Sequence, residues 1–324
     1  MKDKTIRWGI IGLGKIANKF AADLATVSNS ELAAVASRDK EKGVVFANKY
    51  AVKKVYSSYE ELSKDNEIDA VYIATPHSFH KAHTLLCLQH KKAVLCEKPF
   101  AMNLEEVTEM IAVAKTNNVL LMEALWTCFL PHFNYVLNCI ESNTYGILTK
   151  LEADFGFYKA FDTDNRLFKK EVGGGSLLDI GIYPIFTALC ALGIPNEIDA
   201  SATFFKNGAD ATCNMIFNYN KATAILKSSL IEDTPTEAVF TFEKAVVKMN
   251  TQFHAPTTIT ILKDGKEKHV NFKTNTIGYS FEIAHFNALL RAGKKESDVV
   301  SFDFSKTLIK TLDQVRSIIG LSYS

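Results

Sequence analysis

The chain has 324 residues, of which 47% are hydrophobic and 23% are charged, and its formal net charge is +1. This length favours two domains over a single core, and the composition is that of an ordinary globular enzyme. The charge gives no support for nucleic acid or an anionic membrane as a partner. No apolar run approaches the roughly 20 residues that span a bilayer. The polar start Met1–Lys4 predicts no signal peptide. The six scattered cysteines form no Cys-x-x-Cys pair, which predicts free thiols and a cytoplasmic location.

The first predicted strand, residues 5–11, runs directly into a glycine-rich turn that opens a helix. The turn is Gly12-Leu13-Gly14-Lys15-Ile16-Ala17, and it matches the fingerprint of dinucleotide-binding folds. In that fingerprint the first glycine permits a tight turn, the second lets the backbone approach a pyrophosphate, and the small third residue permits close packing of helix on strand. Phosphate would lie on the N–H groups at the helix N-terminus, where Lys15 and Ile16 begin the first turn. Taken alone, the pattern also fits a tight turn that binds nothing.

The second predicted strand, residues 31–37, ends where a dinucleotide-binding fold contacts the ribose of its cofactor. Ser37 occupies the position at which an acidic side chain would hold the ribose 2′-hydroxyl of NAD. Arg38 follows, and its guanidinium fork suits a 2′-phosphate. This pair predicts a preference for NADP. The alternative is that Arg38 is a solvated surface charge and that Asp39 caps the next helix.

Further strands and helices alternate up to about residue 123, which predicts an α/β Rossmann domain with a doubly wound parallel sheet. Thr75-Pro76-His77 closes one strand and is predicted to reach the cofactor at its carboxyl end. Another strand ends at Glu97-Lys98-Pro99, where proline stops the ladder and leaves Lys98 at the same edge of the sheet. We therefore predict an NADP-binding domain over residues 1–123, with Glu97 and Lys98 among its cofactor contacts.

From residue 124 onward the pattern is that of a second domain. After one helix, short alternating strands recur with hairpin signals, which predicts an α+β domain with a large, mostly antiparallel open sheet. Such a sheet must cover its outer face, and pairing with a second subunit would do so. The candidate apolar residues for that face are Phe204, Ile216, Leu226 and Phe240. Residues 124–324 are thus predicted to bind a small-molecule substrate and to form a homodimer.

A second glycine-rich motif lies inside this domain: Gly173-Gly174-Gly175-Ser176-Leu177-Leu178-Asp179-Ile180-Gly181-Ile182-Tyr183-Pro184. Ser176 and Asp179 have the spacing of a capping box at the start of a helix. Asp179 and Tyr183 are four residues apart, so both side chains are predicted to project from one helix face. The glycines permit close approach to a ligand or to another backbone. On spacing alone, a flexible loop before a buried helix fits equally well.

Together these segments resemble the glucose–fructose oxidoreductase / inositol dehydrogenase / rhizopine-catabolism (Gfo/Idh/MocA) superfamily, and within it the dimeric trans-dihydrodiol dehydrogenases and NADP-dependent D-xylose dehydrogenases. The matching segments span both predicted domains in order: Gly12–Ala17, Thr75–His80, Ala93–Pro99, Leu121–Thr127, Asn165–Phe168 and Gly173–Pro184. The combination of Glu-Lys-Pro with the second glycine motif is far more specific than the first glycine turn. One departure is Cys128, where relatives often have arginine, which removes a positive group near the expected substrate mouth or subunit contact.

The resemblance implies an oxidoreductase that transfers hydride between NADP(H) and a cyclic polyol, an aldose or a trans-dihydrodiol, or the matching carbonyl compound. Lys98 and Tyr183 would be its acid/base pair, with Asp179 as a supporting polar group. Tyr183 would accept the carbinol proton, because an adjacent ammonium favours the phenolate. Trp126 would offer an apolar wall to the substrate ring and Arg166 a polar contact. Simple packing and a surface charge are the alternatives for these two.

Three other hypotheses fit the sequence less well. A redox-assisted, NAD-dependent glycoside hydrolase is disfavoured by Ser37 and Arg38. A non-catalytic NADP sensor is disfavoured because the lysine, aspartate and tyrosine are all present. A metal site on the evenly spaced His77, His80 and His83 is disfavoured, because no carboxylate or thiolate cluster accompanies them.

Overall fold

The computed structural model describes residues 4–323, which form two compact units. The first unit comprises the chain up to Cys128 together with residues 275–306, and the second comprises residues 129–274 and the chain from Thr307 onward. The sequence predicts one domain over residues 124–324, whereas the structure packs residues 275–306 with the first unit. The reason lies in buried contacts: the Trp8 ring lies 5.0 Å from that of Phe286, and its indole N–H donates to Asn287.

The first unit is built on a parallel sheet. Its elements are β1 Ile6–Ile11, α1 Lys15–Leu24, β2 Ser30–Ala36, α2 Lys40–Tyr50, β3 Lys54–Tyr56, α3 Tyr59–Lys64, β4 Ala70–Ile73, α4 His80–Gln89, β5 Ala93–Glu97, α5 Leu104–Asn117, β6 Leu121–Ala124 and α8 Tyr279–Arg291. The six strands have the order β3-β2-β1-β4-β5-β6, and every neighbouring pair is parallel, so the predicted doubly wound sheet is confirmed. The strand order reverses between β1 and β4, where folds of this kind open a ligand crevice at the carboxyl ends.

Burial explains why the central strands have apolar sequences. All residues of β4, β5 and β6 are buried, because helices cover both faces of a parallel sheet. Helix α1 packs Ala17 and Phe20 into this core, and the Phe20 ring stacks on Tyr72 of β4. Charged groups within these strands are therefore exceptions that need an explanation.

The second unit is built on a larger sheet. Its elements are α6 Pro131–Glu141, β7 Leu148–Gly156, α7 Ile182–Leu192, β8 Glu197–Phe204, β9 Asp210–Asn218, β10 Thr223–Ser229, β11 Ala238–Phe242, β12 Val246–Met249, β13 Ile259–Lys263, β14 Lys266–Val270 and most of α9 Phe302–Ile319. The eight strands have the order β14-β13-β12-β11-β7-β10-β9-β8. Only β7 and β10 pair in parallel among these described strands, so the predicted mostly antiparallel sheet is confirmed.

The two faces of this sheet differ in burial. Helix α7 packs against β7 and β10 on one face. Leu226 and Phe240 are buried on that face, so the prediction that they belong to an exposed apolar face is wrong. The side-chain alternation of a strand instead exposes Ile225, which lies directly opposite Ile216 in β9. Ile216 and Ile225 are each 42% exposed.

One prediction about apolar stretches is also wrong. The helical segment Lys170–Leu192 is 23 residues long, and by length and composition it is apolar enough to cross a membrane. However, 83% of its apolar window is buried inside the protein. The segment contains one π-helical turn, Leu177–Gly181, which runs into α7. Its hydrophobicity is thus explained by its place in the core of the second unit.

Candidate active site

The first glycine turn leaves space above the N-terminus of α1. Gly12 has φ +90°, and a Cβ added to it would lie 2.7 Å from the carbonyl carbon of Ala74. Gly14 is the N-cap of α1, no side chain caps the helix, and a Cβ added to Gly14 would meet nothing within 4 Å. The first-turn N–H groups of Lys15 and Ile16 therefore face an open cradle, which fits a pyrophosphate group.

The end of β2 is arranged around Ser37. Its hydroxyl accepts a hydrogen bond from the Asp39 N–H at 3.2 Å. Asp39 is the N-cap of α2 and accepts from the Lys42 N–H at 3.1 Å, so its carboxylate serves the helix. Arg38 is exposed at this edge. Burial of the His83 ring, and secondly the positive charge of Arg38, lower the pKa of His83 to about 4. The edge thus presents a guanidinium next to a neutral imidazole.

The carboxyl ends of β4 and β5 are joined through His80. This fully buried ring has Nε2 2.8 Å from the carbonyl oxygen of Thr75 and Nδ1 2.8 Å from that of Pro99. Thr75-Pro76-His77 begins two residues after the end of β4, and both Thr75 and His77 are buried. The His80 ring therefore lies within hydrogen-bond distance of one carbonyl oxygen in the segment after β4 and of one in the segment that carries the predicted catalytic lysine.

The Glu-Lys-Pro segment places two charged groups at the end of β5. Glu97 is buried and accepts a hydrogen bond from the Tyr72 hydroxyl of the neighbouring strand. Lys98 is half-buried and is joined to Pro99 by a cis peptide bond. Lys98 thus follows the carboxyl end of β5, where the sequence predicts it.

Sequence reasoning missed Glu123, which lies on β6 beside this segment. It is 2% exposed, and its Oε1 accepts a hydrogen bond from the Phe100 N–H at 2.9 Å. Burial raises the pKa of this carboxyl to about 7. The available signal was a single acidic residue inside an apolar, fully buried strand.

In the second unit, the predicted capping box at Ser176 does not form. Ser176 has helical backbone angles, and its side chain makes no cap hydrogen bond. The cap comes instead from Asp210 at the start of β9, whose Oδ2 accepts from the Ser176 hydroxyl at 2.7 Å and from the Leu177 N–H at 2.6 Å. Burial raises the pKa of Asp210 to about 6. Asp210, 34 positions after Ser176, thus accepts the hydrogen bonds at this helix start in place of the predicted capping box of Ser176 and Asp179.

Asp179 and Tyr183 lie on either side of the start of α7. Asp179 is partly buried, and its Oδ1 accepts from Nη2 of Arg166 at 3.0 Å. The structure therefore brings together two of the predicted substrate contacts as an ion pair. Tyr183 is buried with its ring centroid 5.6 Å from that of Phe155 and 5.0 Å from that of His254. His254 was not singled out from the sequence.

Trp126 is packed within the first unit. Its side chain is 5% exposed, and its ring stacks on Tyr279 with centroids 4.5 Å apart and an interplanar angle of 11°. One face of the indole is thus covered by α8. Lys98 and Trp126 belong to the first unit, whereas Asp179, Tyr183 and Arg166 belong to the second.

Comparisons with known proteins give consistent results for both units. Residues 6–125 match a family model described as "Oxidoreductase family, NAD-binding Rossmann fold", and residues 133–257 match the "GFO/IDH/MocA C-terminal domain". The chain is 35% identical over 333 residues to trans-1,2-dihydrobenzene-1,2-diol dehydrogenase of Xenopus tropicalis, covering 98% of this chain and 99% of that protein. It is 36% identical over 330 residues to the Homo sapiens enzyme of the same name, covering 98% of each.

Solved structures share the fold at lower identity. One is KijD10, a 3-ketoreductase from Actinomadura kijaniata in complex with NADP and TDP-benzene, with a TM-score of 0.89, 23% identity and 98% of each chain covered. Another is an aldose-aldose oxidoreductase from Caulobacter crescentus complexed with glycerol, with a TM-score of 0.89, 20% identity and 97% of each chain covered. These likenesses concern the arrangement of the two sheets and their helices.

Proposed function

Because this chain belongs to the Gfo/Idh/MocA family and is a dehydrogenase or reductase of CH–OH groups, we propose that it transfers hydride between NADP(H) and a trans-dihydrodiol, a cyclic polyol or an aldose, or the matching carbonyl compound. The observation that carries the proposal is its 35% identity to a trans-1,2-dihydrobenzene-1,2-diol dehydrogenase over 98% of the chain. Trans-dihydrodiols are therefore the first substrates to test.

The proposal assigns NADP to the carboxyl edge of the parallel sheet. Support comes from the open cradle above the helix N-terminus and from the guanidinium at the end of β2. Gly12, Gly14, Lys15 and Ile16 would hold the pyrophosphate, and Ser37 and Arg38 the 2′-phosphate. The remaining contacts would come from Thr75, Pro76, His77, Glu97 and Lys98. When bound, the nicotinamide supplies the acceptor or donor of hydride.

We assign proton transfer to Tyr183 and charge stabilisation to Lys98. A carbinol must lose its hydroxyl proton as its C–H electron pair leaves, and Tyr183 would accept that proton. The Lys98 ammonium would stabilise the developing alkoxide and favour the tyrosine phenolate. Asp179, held by Arg166, would keep a fixed acceptor beside the substrate hydroxyls. Cooperation between Lys98 and Tyr183, which lie in different units, is part of the proposal.

We further propose that the protein is a cytoplasmic homodimer. The dimer contact would be the outer face of the eight-stranded sheet, where Ile216 and Ile225 are exposed side by side. A cytoplasmic location agrees with six free cysteine thiols, five of them buried. Cell fractionation tests the location, and recovery of the protein with secreted markers would contradict it.

The function is tested by following nicotinamide absorbance with trans-dihydrodiols, inositols and aldoses, each with NADP⁺ and with NAD⁺. We expect turnover with NADP⁺ and one substrate class, led by the dihydrodiols. An Arg38→Ala variant should lose roughly tenfold or more in NADP⁺ affinity and little in NAD⁺ affinity, since only NADP⁺ carries the 2′-phosphate. Equal losses for the two cofactors, or absence of turnover with every substrate while NADP⁺ binds, would contradict the proposal.

A further inference from the structure

Glu123 is an acidic residue in a strand where every residue is buried. In the parallel pairing of β5 with β6, Glu123 lies opposite Cys96. Cys96 precedes Glu97 by one residue and Lys98 by two. The neighbours of Glu123 on β6 are Met122 and Ala124, both buried. A buried carboxyl destabilises the fold unless hydrogen bonds or an opposite charge compensate for the loss of water.

One hydrogen bond of Glu123 is with the segment that carries the lysine. Its Oε1 accepts from the N–H of Phe100, two residues after Lys98. The carbonyl oxygen of Pro99, between those two residues, lies 2.8 Å from Nδ1 of His80. The Glu123 carboxyl therefore anchors the backbone at Phe100 and the His80 ring contacts the preceding carbonyl, which limits the positions open to Lys98.

The charges around Glu123 make its protonation state responsive near neutral pH. Burial raises its pKa to about 7, while the Ser305 hydroxyl, the Phe100 N–H and the Lys98 ammonium lower the pKa and the Glu97 carboxyl raises it. The Cys96 thiol, opposite Glu123 in the neighbouring strand, is a further titratable group close to it. Glu123 Oε2 is buried and accepts no hydrogen bond within residues 4–323. The carboxyl thus has one acceptor oxygen in use and one oxygen able to carry a proton.

We propose that Glu123 is a positioning residue of the hydride-transfer reaction, which fixes the segment presenting Lys98 and changes the charge beside its ammonium by taking up or releasing a proton. This inference rests on the proposed role of Lys98. A neutral Glu123 leaves the field of the ammonium undiminished, so a developing substrate alkoxide is stabilised. An ionised Glu123 opposes that field and lowers the rate.

The test is the pH profile of kcat for carbonyl reduction in the wild type and in Glu123→Gln, whose side chain keeps the acceptor for Phe100 but carries no charge. The wild type should lose activity as pH rises through about 7. Glu123→Gln should not show this loss of activity at high pH. Its kcat at alkaline pH should exceed that of the wild type by about threefold to tenfold, as expected for the removal of one charge that acts on the reacting atoms from a distance. An unchanged profile in Glu123→Gln would overturn the inference.

Glu282→Gln is the matched control, because Glu282 is a second fully buried carboxyl of the same unit. Burial raises the pKa of Glu282 well above its ordinary value, and Glu282→Gln should leave the pH profile of kcat unchanged. Glu123→Leu removes the acceptor for Phe100 as well as the charge, and should lower kcat at every pH. Full activity in Glu123→Leu would contradict the positioning role.

A second readout does not depend on turnover. Infrared difference spectra of the protein between acid and alkaline pH should contain a protonated-carboxyl band that titrates near pH 7 and is missing in Glu123→Gln. If the band persists in that variant, the inference about Glu123 fails. If Lys98→Met retains wild-type turnover, the proposed role of Lys98 fails instead. The two failures are therefore distinguishable.

Discussion

Gly175 shows how one absent side chain shapes the start of the proposed catalytic helix. Its φ of +124° is a conformation that L side chains rarely adopt, and a Cβ added to it would lie 2.0 Å from Oδ1 of Asp210. Asp210 in turn caps Ser176 and Leu177. The glycine and the aspartate are therefore a matched pair: the missing side chain makes room for the carboxylate that the helix start needs.

We predict that Gly175→Ala destabilises the protein by about 2 kcal/mol or more, because the new methyl group both strains the backbone and displaces the Asp210 carboxylate. It should also lower kcat, since Asp179 and Tyr183 follow on the displaced helix. The control is Gly320→Ala at a position with φ +70° and nothing within 4 Å of the added Cβ, which should cost about 1 kcal/mol. Denaturant titration measures both variants, and equal losses would contradict the account.

The sequence singled out Lys98, Asp179 and Tyr183 as candidate site residues because they stand in recognisable local patterns, and their roles remain predictions. It did not identify Glu123 or Asp210, because each acts on a backbone N–H far away in the chain: 23 residues for Glu123 and Phe100, and 33 for Asp210 and Leu177. Local spacing instead favoured a capping box at Ser176. An acidic residue in an otherwise apolar strand is the sequence signal that Glu123 left, whereas Asp210 begins a strand that contains other polar residues.

At the scale of whole elements, the strands were predictable because alternation and apolar runs are local properties. The first two strands, predicted over residues 5–11 and 31–37, agree within one residue with β1 and β2. What alternation cannot supply is which face of a strand is covered. Leu226 and Phe240 were assigned to the exposed face, yet α7 and its neighbours bury them. Helices α8 and α9 were not predicted.

The exposed face of the larger sheet carries a prediction of its own. Ile225 lies opposite Ile216 on one side and Glu152 on the other, so Ile225→Glu would place a carboxylate beside an existing one in the proposed dimer contact. We expect sedimentation equilibrium to show a dimer for the wild type and a monomer for Ile225→Glu.

The matched control is Ile194→Glu, at a residue that is 71% exposed in the loop after α7. This variant should remain dimeric. A monomeric wild type, or a dimer unaffected by Ile225→Glu, would exclude this face as the subunit contact.

At the scale of the whole molecule, the two sheets followed from the order of the predicted elements, but the membership of the units did not. Residues 275–306 return to the first unit because Asp23 of α1 accepts hydrogen bonds from the N–H groups of Ile277, Gly278 and Ser280. The buried Trp8–Phe286 contact has the same effect. Such long-range pairing leaves little trace in local periodicity, so sequence reasoning placed one boundary near residue 123 and missed the return.

The central proposal is that Lys98 and Tyr183 act on the same substrate atom, and a double-mutant cycle on kcat tests it most directly. Lys98→Met and Tyr183→Phe should each lower kcat by about 10²- to 10⁴-fold while NADP⁺ binding, measured by calorimetry, is retained. When two groups cooperate in one chemical step, removal of either one abolishes most of their joint effect. The double variant should therefore be little slower than the slower single variant. Losses that multiply in the double variant, or wild-type turnover in either single variant, would contradict the claim.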